Sequence, residues 1–365
     1  MRKIALAFIF LIVFLVGGPV FFGMLTWVRM TEPYKGYTDP ELFVQVPQGA
    51  GTTQIGQALV QAGIVKDQWT FRGALLWTRT TRLLKAGEYR FDRPMTAIDV
   101  VERIARGDVY TRRLTFPEGL TIVEMAKLYE SRGFGQAQQF IDATRDASPI
   151  RDLDPQATDL EGYLFPETYA LARTTPASKL VAMMVNRFRS VFNDELRREV
   201  KEQGLTVRQI VTLASLIEKE TGNTEERPVV AAVYRNRVKT GMGMQADPTI
   251  IYALEKAGRW DGNIHKQDLA FDSPYNTYKY PGLPPGPIAS PGKASLEAAV
   301  SPADVPYLYF VSRNDGTHVF AKTLTEHNRN VQKYQVAYFR ALRQQESGRA
   351  PHGPEKRGKA TSPGG

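Results

Sequence analysis

The chain has 365 residues, a formal charge of +9, four histidines and no cysteine. That length accommodates two or three domains and a sizeable core. The missing cysteines exclude a disulfide framework, a zinc–thiolate site and a thiol nucleophile, and four histidines leave little room for a His-rich metal centre. Any chemistry must come from carboxylates, hydroxyls and amides.

From Ile4 to Leu25 no residue is charged, and a helix needs about 20 apolar residues to cross roughly 30 Å of hydrocarbon. Gly17, Gly18 and Pro19 interrupt the run, as membrane helices tolerate, and Trp27 falls where an interfacial aromatic would sit. Arg2 and Lys3 precede it, so the short N-terminus is expected in the cytoplasm and the bulk outside. No A-x-A site follows, which favours an uncleaved anchor over a signal peptide. G-x-x-x-G spacing is absent, so the run gives no reason to expect a dimer. In a cytosolic protein the positive charge would point to nucleic acid. Outside the membrane it points to phospholipid headgroups or a carboxylate-bearing polymer.

Past a Pro-, Gly- and Tyr-rich segment from Thr31 to Pro40, FVQVPQGAGTTQIGQALVQAGIV predicts strand, turn and helix. Pro47 and Gly49 make the turn, and Thr52 or Thr53 caps a helix carrying Ile55, Ala58, Leu59 and Ala62. A second helix is expected from about Asp67, then a strand, Lys85 to Phe91, returning beside the first. After a helix over Ala97–Arg106, RRLTFPEGLTIVEMAKLYESRGF repeats strand, Pro-x-Gly turn and helix, with Pro117 and Gly119 in the places of Pro47 and Gly49. A βααβ unit of this size is similar to the LysM module, which binds N-acetylglucosamine polymers; a spacer without ligand affinity is the alternative.

The stretch from Ala137 to Glu202 is mostly helical in pattern, broken by DLEGYLFPETYAL, Asp159 to Leu171. Its Glu161, Tyr163, Phe165, Glu167 and Tyr169 suit sugar binding, since rings stack on pyranose faces while acids take hydroxyls. They suit a loop locked into a core still better, with tyrosine hydroxyls finding backbone partners.

TVRQIVTLASLIEKET, Thr206 to Thr221, carries the sharpest signal. Thr206 with Gln209 matches a capping box. At about 100° per residue, Val207, Ile210, Val211, Leu213, Ala214 and Ile217 share an arc, with Glu218 inside it and Lys219 and Glu220 pointing away. A carboxyl among apolar neighbours loses hydration and its pKa rises, as a general acid requires. A boundary glutamate paired with an arginine fits the same spacing. Val229 to Val238 continues as a helix, with Arg235 and Arg237 available to hold acids. Ser273 to Gly292 has too many prolines and glycines for regular structure and is expected to be a rigid loop presenting Tyr275, Asn276, Thr277 and Tyr278 as a substrate wall. YLYFV, RNDG and THVF read as a hairpin.

LEGYLFPETY, ASLIEKET, MQADPTIIY, SPYNTY with GLPPGPIASPG, and YLYFVSRNDGTHVF with EHN, in this order, resemble the YceG-like family of endolytic murein transglycosylases from Leu42 to about Arg343. The resemblance implies an α+β chain with a transmembrane anchor over residues 1–30 and a linker over 31–40. A LysM-like subdomain over 41–120 and a mixed α/β catalytic domain over 121–345 would follow, then a disordered tail over 346–365. It implies a single-pass inner-membrane enzyme working on peptidoglycan in the periplasm, Glu218 as its catalytic residue, and partnership with wall synthases, including penicillin-binding proteins.

A lytic transglycosylase needs no second obligatory acid, because the sugar's C6 hydroxyl is the nucleophile, and an attacker held in place explains why no metal or cofactor is needed. Gln245, Asp247, Tyr275, Asn276, Thr277 and Tyr278 are assigned to orienting the glycan and stabilising charge at C1, with Glu161 and Tyr163 behind them. A carboxylate such as Asp247 at roughly 5 Å, or 6.5–9.5 Å, across from Glu218 would reopen hydrolase geometries. A hydrolytic muramidase and a non-catalytic wall-binding scaffold are the competing functions.

Overall fold

The computed structural model describes residues 13–340 and Arg343. The tail over 346–365 and residues 4–12 of the apolar run lie outside the described residues. Among the described residues no helix is long and apolar enough to cross a membrane; α1, Gly18–Thr31, has 14 residues. The described residues are mixed α+β and form two compact units, the first running to residue 114 with 169–175, the second comprising 115–168 and the chain from 176 on.

The first unit is the predicted strand–helix–helix–strand. β1 (Leu42–Val46) pairs antiparallel with β2 (Gly87–Phe91), Leu42 opposite Phe91 and Val46 opposite Gly87. Between them run α2 (Thr52–Gln61) and α3 (Gln68–Thr78), the latter capped by Asp67, whose side chain accepts from Thr70 N. Alternation turns Val44, Val46, Tyr89 and Phe91 inward. They meet Leu59, Phe71, and Val100, Val101 and Ile104 of α4 (Ala97–Arg106). Within the 31–40 segment, Tyr34 forms an isolated antiparallel bridge with Met95 of this unit. At Gly73 of α3 a Cβ would lie 2.7 Å from Met30 Sδ of α1, so a larger residue there would make the Met30 side chain shift. β3 (Arg112–Thr115) and β4 (Thr168–Leu171) form a further two-stranded sheet.

In the second unit α5 (Ile122–Ser131), α6 (Ala137–Thr144), α7 (Ala177–Val191) and α8 (Asp194–Glu202) precede the helix that organises it, α9 (Val207–Glu220). Periodicity predicts one buried arc on α9; the structure buries every residue from Ile210 to Ile217, Thr212 and Ser215 included. α10 (Arg227–Lys239), α11 (Asp247–Lys256) and α12 (Lys293–Val300) pack round it. The Ser215 hydroxyl is satisfied internally, donating to Thr212 O and accepting from Ile288 N, whereas the Thr212 hydroxyl is buried without a partner. The Asp159–Leu171 stretch takes the core role, with Leu160, Tyr163, Leu164 and Phe165 all buried. Gly162 has φ +83°, and a Cβ there would reach 2.4 Å from Pro287, so the stretch seats directly on the proline-rich loop. β5 (Tyr309–Ser312) and β6 (His318–Ala321) form the expected hairpin, its turn using positive φ at Asn314 and Gly316. α13 (Leu324–Val331) follows, closed by a capping box from Thr323 and Glu326.

Candidate active site

The last turn of α9 emerges against two segments that are distant in sequence. Gly119 N donates to Ser290 O at 2.8 Å and Ser290 N to Leu120 O at 2.9 Å, so the Pro117–Leu120 turn and the end of the proline-rich loop run together. Gly119 has φ +78°, and a Cβ there would sit 3.5 Å from Glu218 Cγ. The Glu218 side chain is 5% exposed. Gly292 N donates to its Oε2 at 2.8 Å, and Arg227 Nη2 donates to its Oε1 at 2.8 Å. Arg227 opens α10 and is itself buried. The same Nη2 lies 3.5 Å from Oε2 of Glu118, whose side chain is 47% exposed. A Cβ at Gly292 would fall 1.8 Å from Glu118 Oε1, so any side chain there would push the half-exposed Glu118 carboxylate aside.

Burial pushes the Glu218 carboxyl above the usual glutamate range. The Gly292 N–H, the Ser295 hydroxyl standing near outside hydrogen-bond geometry, and the Arg227 charge pull it back, while Glu118 pushes it up. The carboxyl is held at both oxygens, by Gly292 N–H and by Arg227. Arg227 Nε and the Ser290 and Ser295 hydroxyls, on the segments that wall it, are buried without a hydrogen-bond partner. The large majority of buried side-chain polar atoms are paired in folded proteins, so the unpaired Arg227 Nε and Ser290 hydroxyl are exceptions on the segments that wall the site.

The residues predicted to support Glu218 divide. Asp247 is not among the groups acting on Glu218; it accepts from the Tyr278 hydroxyl and bears on Glu220 instead. Glu220, expected to point away from the core, carries its carboxylate under the Tyr234 hydroxyl, and burial raises its pKa to about 7. The second carboxylate on Arg227 is Glu118, which the sequence reading passed over. Asn276 and Thr277, expected on a substrate wall, are buried and organise the loop. Asn276 Nδ2 donates to Leu269 O and Phe271 O, and Thr277 Oγ1 accepts from Ala246 N and contacts Thr249 Oγ1. Gln245 is exposed, with φ +48° and its N–H on Thr277 O. Tyr163 is structural, its hydroxyl donating to Asp154, which also accepts from Arg208. Arg237 donates to the carbonyls of Leu308 and Met244, and Arg235 to Gln203, so neither holds an acid directly.

Glu161 lines a pocket of about 460 Å³ between α5, α6 and the end of α11, with Lys127, Asp159, Tyr252, Lys256 and Trp260. Its carboxylate accepts from Ile122 N at 3.2 Å, and burial pushes its pKa to about 8. Tyr275 packs on Tyr252 at 4.9 Å between ring centres, with Lys256 over both rings. Among the described residues no three His, Asp or Glu side chains are grouped to hold a metal ion.

The missed residues had one legible signal. The first Pro-x-Gly turn carries Gln48 where the second carries Glu118, a change to an acid at the tip of a repeated turn. Arg227 and Gly292 had none, because neither lies on the face or in the motif that drew attention to Glu218.

The chain is similar to known proteins. The chain is 30% identical over 336 residues to an endolytic murein transglycosylase of Bacillus subtilis, covering 88% of this chain and 91% of that protein. It is 29% identical to an endolytic murein transglycosylase of Streptococcus pneumoniae, of whose length it spans 64% and which covers 89% of this chain. The crystal structure of a yceG-like protein from Listeria monocytogenes superposes with a TM-score of 0.54 at 31% identity, over 80% of this chain and 99% of that one. Residues 44–333 match the YceG-like family, and the chain belongs to it.

Proposed function

We propose that this chain is a membrane-anchored endolytic transglycosylase that cuts the bond between N-acetylmuramic acid and N-acetylglucosamine within peptidoglycan strands. Glu218 is the observation that carries the reading: a carboxyl 5% exposed, raised in pKa by burial, and held at both oxygens by Gly292 N–H and Arg227. Protonated, Glu218 gives its proton to the glycosidic oxygen as the C1–O bond breaks. The C6 hydroxyl of the same muramic residue attacks C1 and returns its proton to the Glu218 carboxylate, closing a 1,6-anhydro ring without water. An attacker already tethered to its target supplies the effective molarity that a second reactant would lack. Arg227 steadies the carboxylate form between the two transfers, and Glu118 offsets that pull.

The Glu161 pocket holds sugar residues of the strand away from the cut. With Tyr275 and Lys256 beside it, it joins aromatic faces to hydroxyl-binding groups. Asp247, Tyr278 and Gln245 lie on the glycan side of the same loops, which Asn276 and Thr277 keep in place. On this reading residues 4–25 form a single-pass anchor in a bacterial inner membrane, and both units face the periplasm. The βααβ unit is a LysM-like glycan-binding element, and wall synthases such as penicillin-binding proteins supply the strands that the enzyme terminates.

Mass spectrometry of the products from purified glycan strands tests this. Anhydro-muramic ends from the wild type and none from Glu218→Gln are expected. Reducing ends would instead identify a hydrolytic muramidase, for which the sharing of Arg227 by Glu118 and Glu218 supplies the second carboxylate. Intact strands with both proteins, under conditions where strands still bind, would leave the wall-binding scaffold.

A further inference from the structure

In a soluble helix one face is apolar and the other polar, but α3 is apolar on two. Thr70, Phe71, Ala74 and Leu75 are buried in the core of the first unit. On the opposite side Trp69 is 68% exposed and Leu76 75%, with Trp77 60% exposed on the flank. Leu83, in the turn after the helix, is 58% exposed. Scattered exposed hydrophobics are ordinary, whereas several on one short element mark a surface that something covers.

The charges around this patch identify the cover. From Gln68 to Gly87 the chain carries Arg72, Arg79, Arg82 and Lys85 and no acidic residue. The three arginines are exposed, and Arg72 lies over the Trp69 ring at 6.0 Å. Tryptophans at the boundary, aliphatic side chains beyond them and arginines round the rim are the composition of a helix lying in the headgroup layer of an anionic bilayer. The patch is also continuous with α1. Trp27 meets Trp77 edge to face at 4.5 Å, and Val20, Phe21, Met24 and Leu25 of α1 stand exposed.

We infer that the outer face of α3, with Trp69, Leu76, Trp77 and the arginine rim, docks on the surface of an anionic phospholipid bilayer and fixes the orientation of the first unit against it. The inference rests on the anchor reading for which membrane is met; the contact itself needs only the α3 patch. A glycan-binding unit pinned flat to the bilayer samples only strands still close to it.

The cysteine-free chain makes the test direct. Nitroxide labels are placed singly at Leu76→Cys, Phe21→Cys and Val123→Cys of the full chain in nanodiscs of zwitterionic and anionic phospholipid, and depth is read from relaxation by oxygen against a water-soluble nickel complex. Leu76 and Val123 are 75% and 50% exposed, so neither label disturbs a core. The expected result is a Leu76 label about 5–10 Å into the headgroup and acyl boundary, with the Val123 label in water. Replacing Arg72, Arg79 and Arg82 by Gln is expected to weaken binding to anionic vesicles by about fivefold per arginine, since each cation near such a surface contributes about 1 kcal/mol, and to leave the circular-dichroism melt unchanged. A Leu76 label in water in both discs would overturn the inference. So would a label shielded from both relaxants in native membranes yet wet in nanodiscs, which would assign the face to a protein partner. A Phe21 label in water would defeat the anchor reading alone, leaving Leu76 depth to decide this one.

Discussion

Pro47-Gln48-Gly49 and Pro117-Glu118-Gly119 are the same turn built twice, with φ +79° at Gly49 and +78° at Gly119. Each follows a short strand and opens onto a helix. Yet nothing lies within 4 Å of where a Cβ at Gly49 would be, while at Gly119 the Glu218 carboxyl arm stands 3.5 Å away. Local sequence is enough to make the backbone shape. What the shape is for depends on what the rest of the unit brings to it, and only the second turn has a buried acid behind it and an arginine beside it.

Five substitutions test this difference between the two turns. Glu218→Gln keeps the shape of the side chain and removes the titrating proton; the rate of strand cleavage should fall by about 10³-fold or more, with the thermal melt little changed. Arg227→Gln leaves the ionised form of Glu218 buried without its cation, so urea unfolding at alkaline pH should show a loss approaching about 3–5 kcal/mol. That deficit shrinks as pH falls, because protonating Glu218 removes the unpaired charge. The guanidinium holds the Glu218 pKa down, so in the residual activity the alkaline limb of the pH–rate profile should move to higher pH.

The two glycines come next. Gly49→Ala and Gly119→Ala both force a side chain into the left-handed region, at about 1–2 kcal/mol each, and should lower the melting temperature alike. Only Gly119→Ala should slow cleavage, by about tenfold, since even small shifts of a positioned group are felt in the rate. Equal rates for the two variants would reduce the second turn to a structural copy of the first. Smallest is Glu118→Gln. Its charge raises the Glu218 pKa, so its loss should shift the alkaline limb to lower pH, opposite to Arg227→Gln, by less than about one unit at its half-exposed position.

What the sequence made legible follows the reach of each signal. The 3.6-residue period and the Thr206–Gln209 capping box placed α9 and set Glu218 at the edge of a buried face, and the structure has both. The period could not foresee that α10 would cover the other side, so Glu220 reads as outward when it lies against Tyr234. Both readings of Glu218, the desolvated acid and the arginine-paired one, describe the same side chain. Its partners were out of view because Gly292 is 74 residues from Glu218 and Glu118 is 109 from Arg227. Asn276 and Thr277 misled for the opposite reason. Polar side chains in a loop without a hydrogen-bonded ladder can hold that loop together as readily as they can face a ligand, and composition does not separate the two.

α9 is buried on every side from Ile210 to Ile217, and this bears on safety as much as on rate. An unfolded or half-folded copy exposes Glu218 to water, where it titrates as an ordinary glutamate and is ionised at neutral pH. In the mechanism proposed above, burial raises the Glu218 pKa, so the acid is better able to keep its proton once the second unit has closed round the helix. On that mechanism a wall-cutting chain is armed by folding itself, because copies that misfold or are caught part-way through synthesis lack the buried acid.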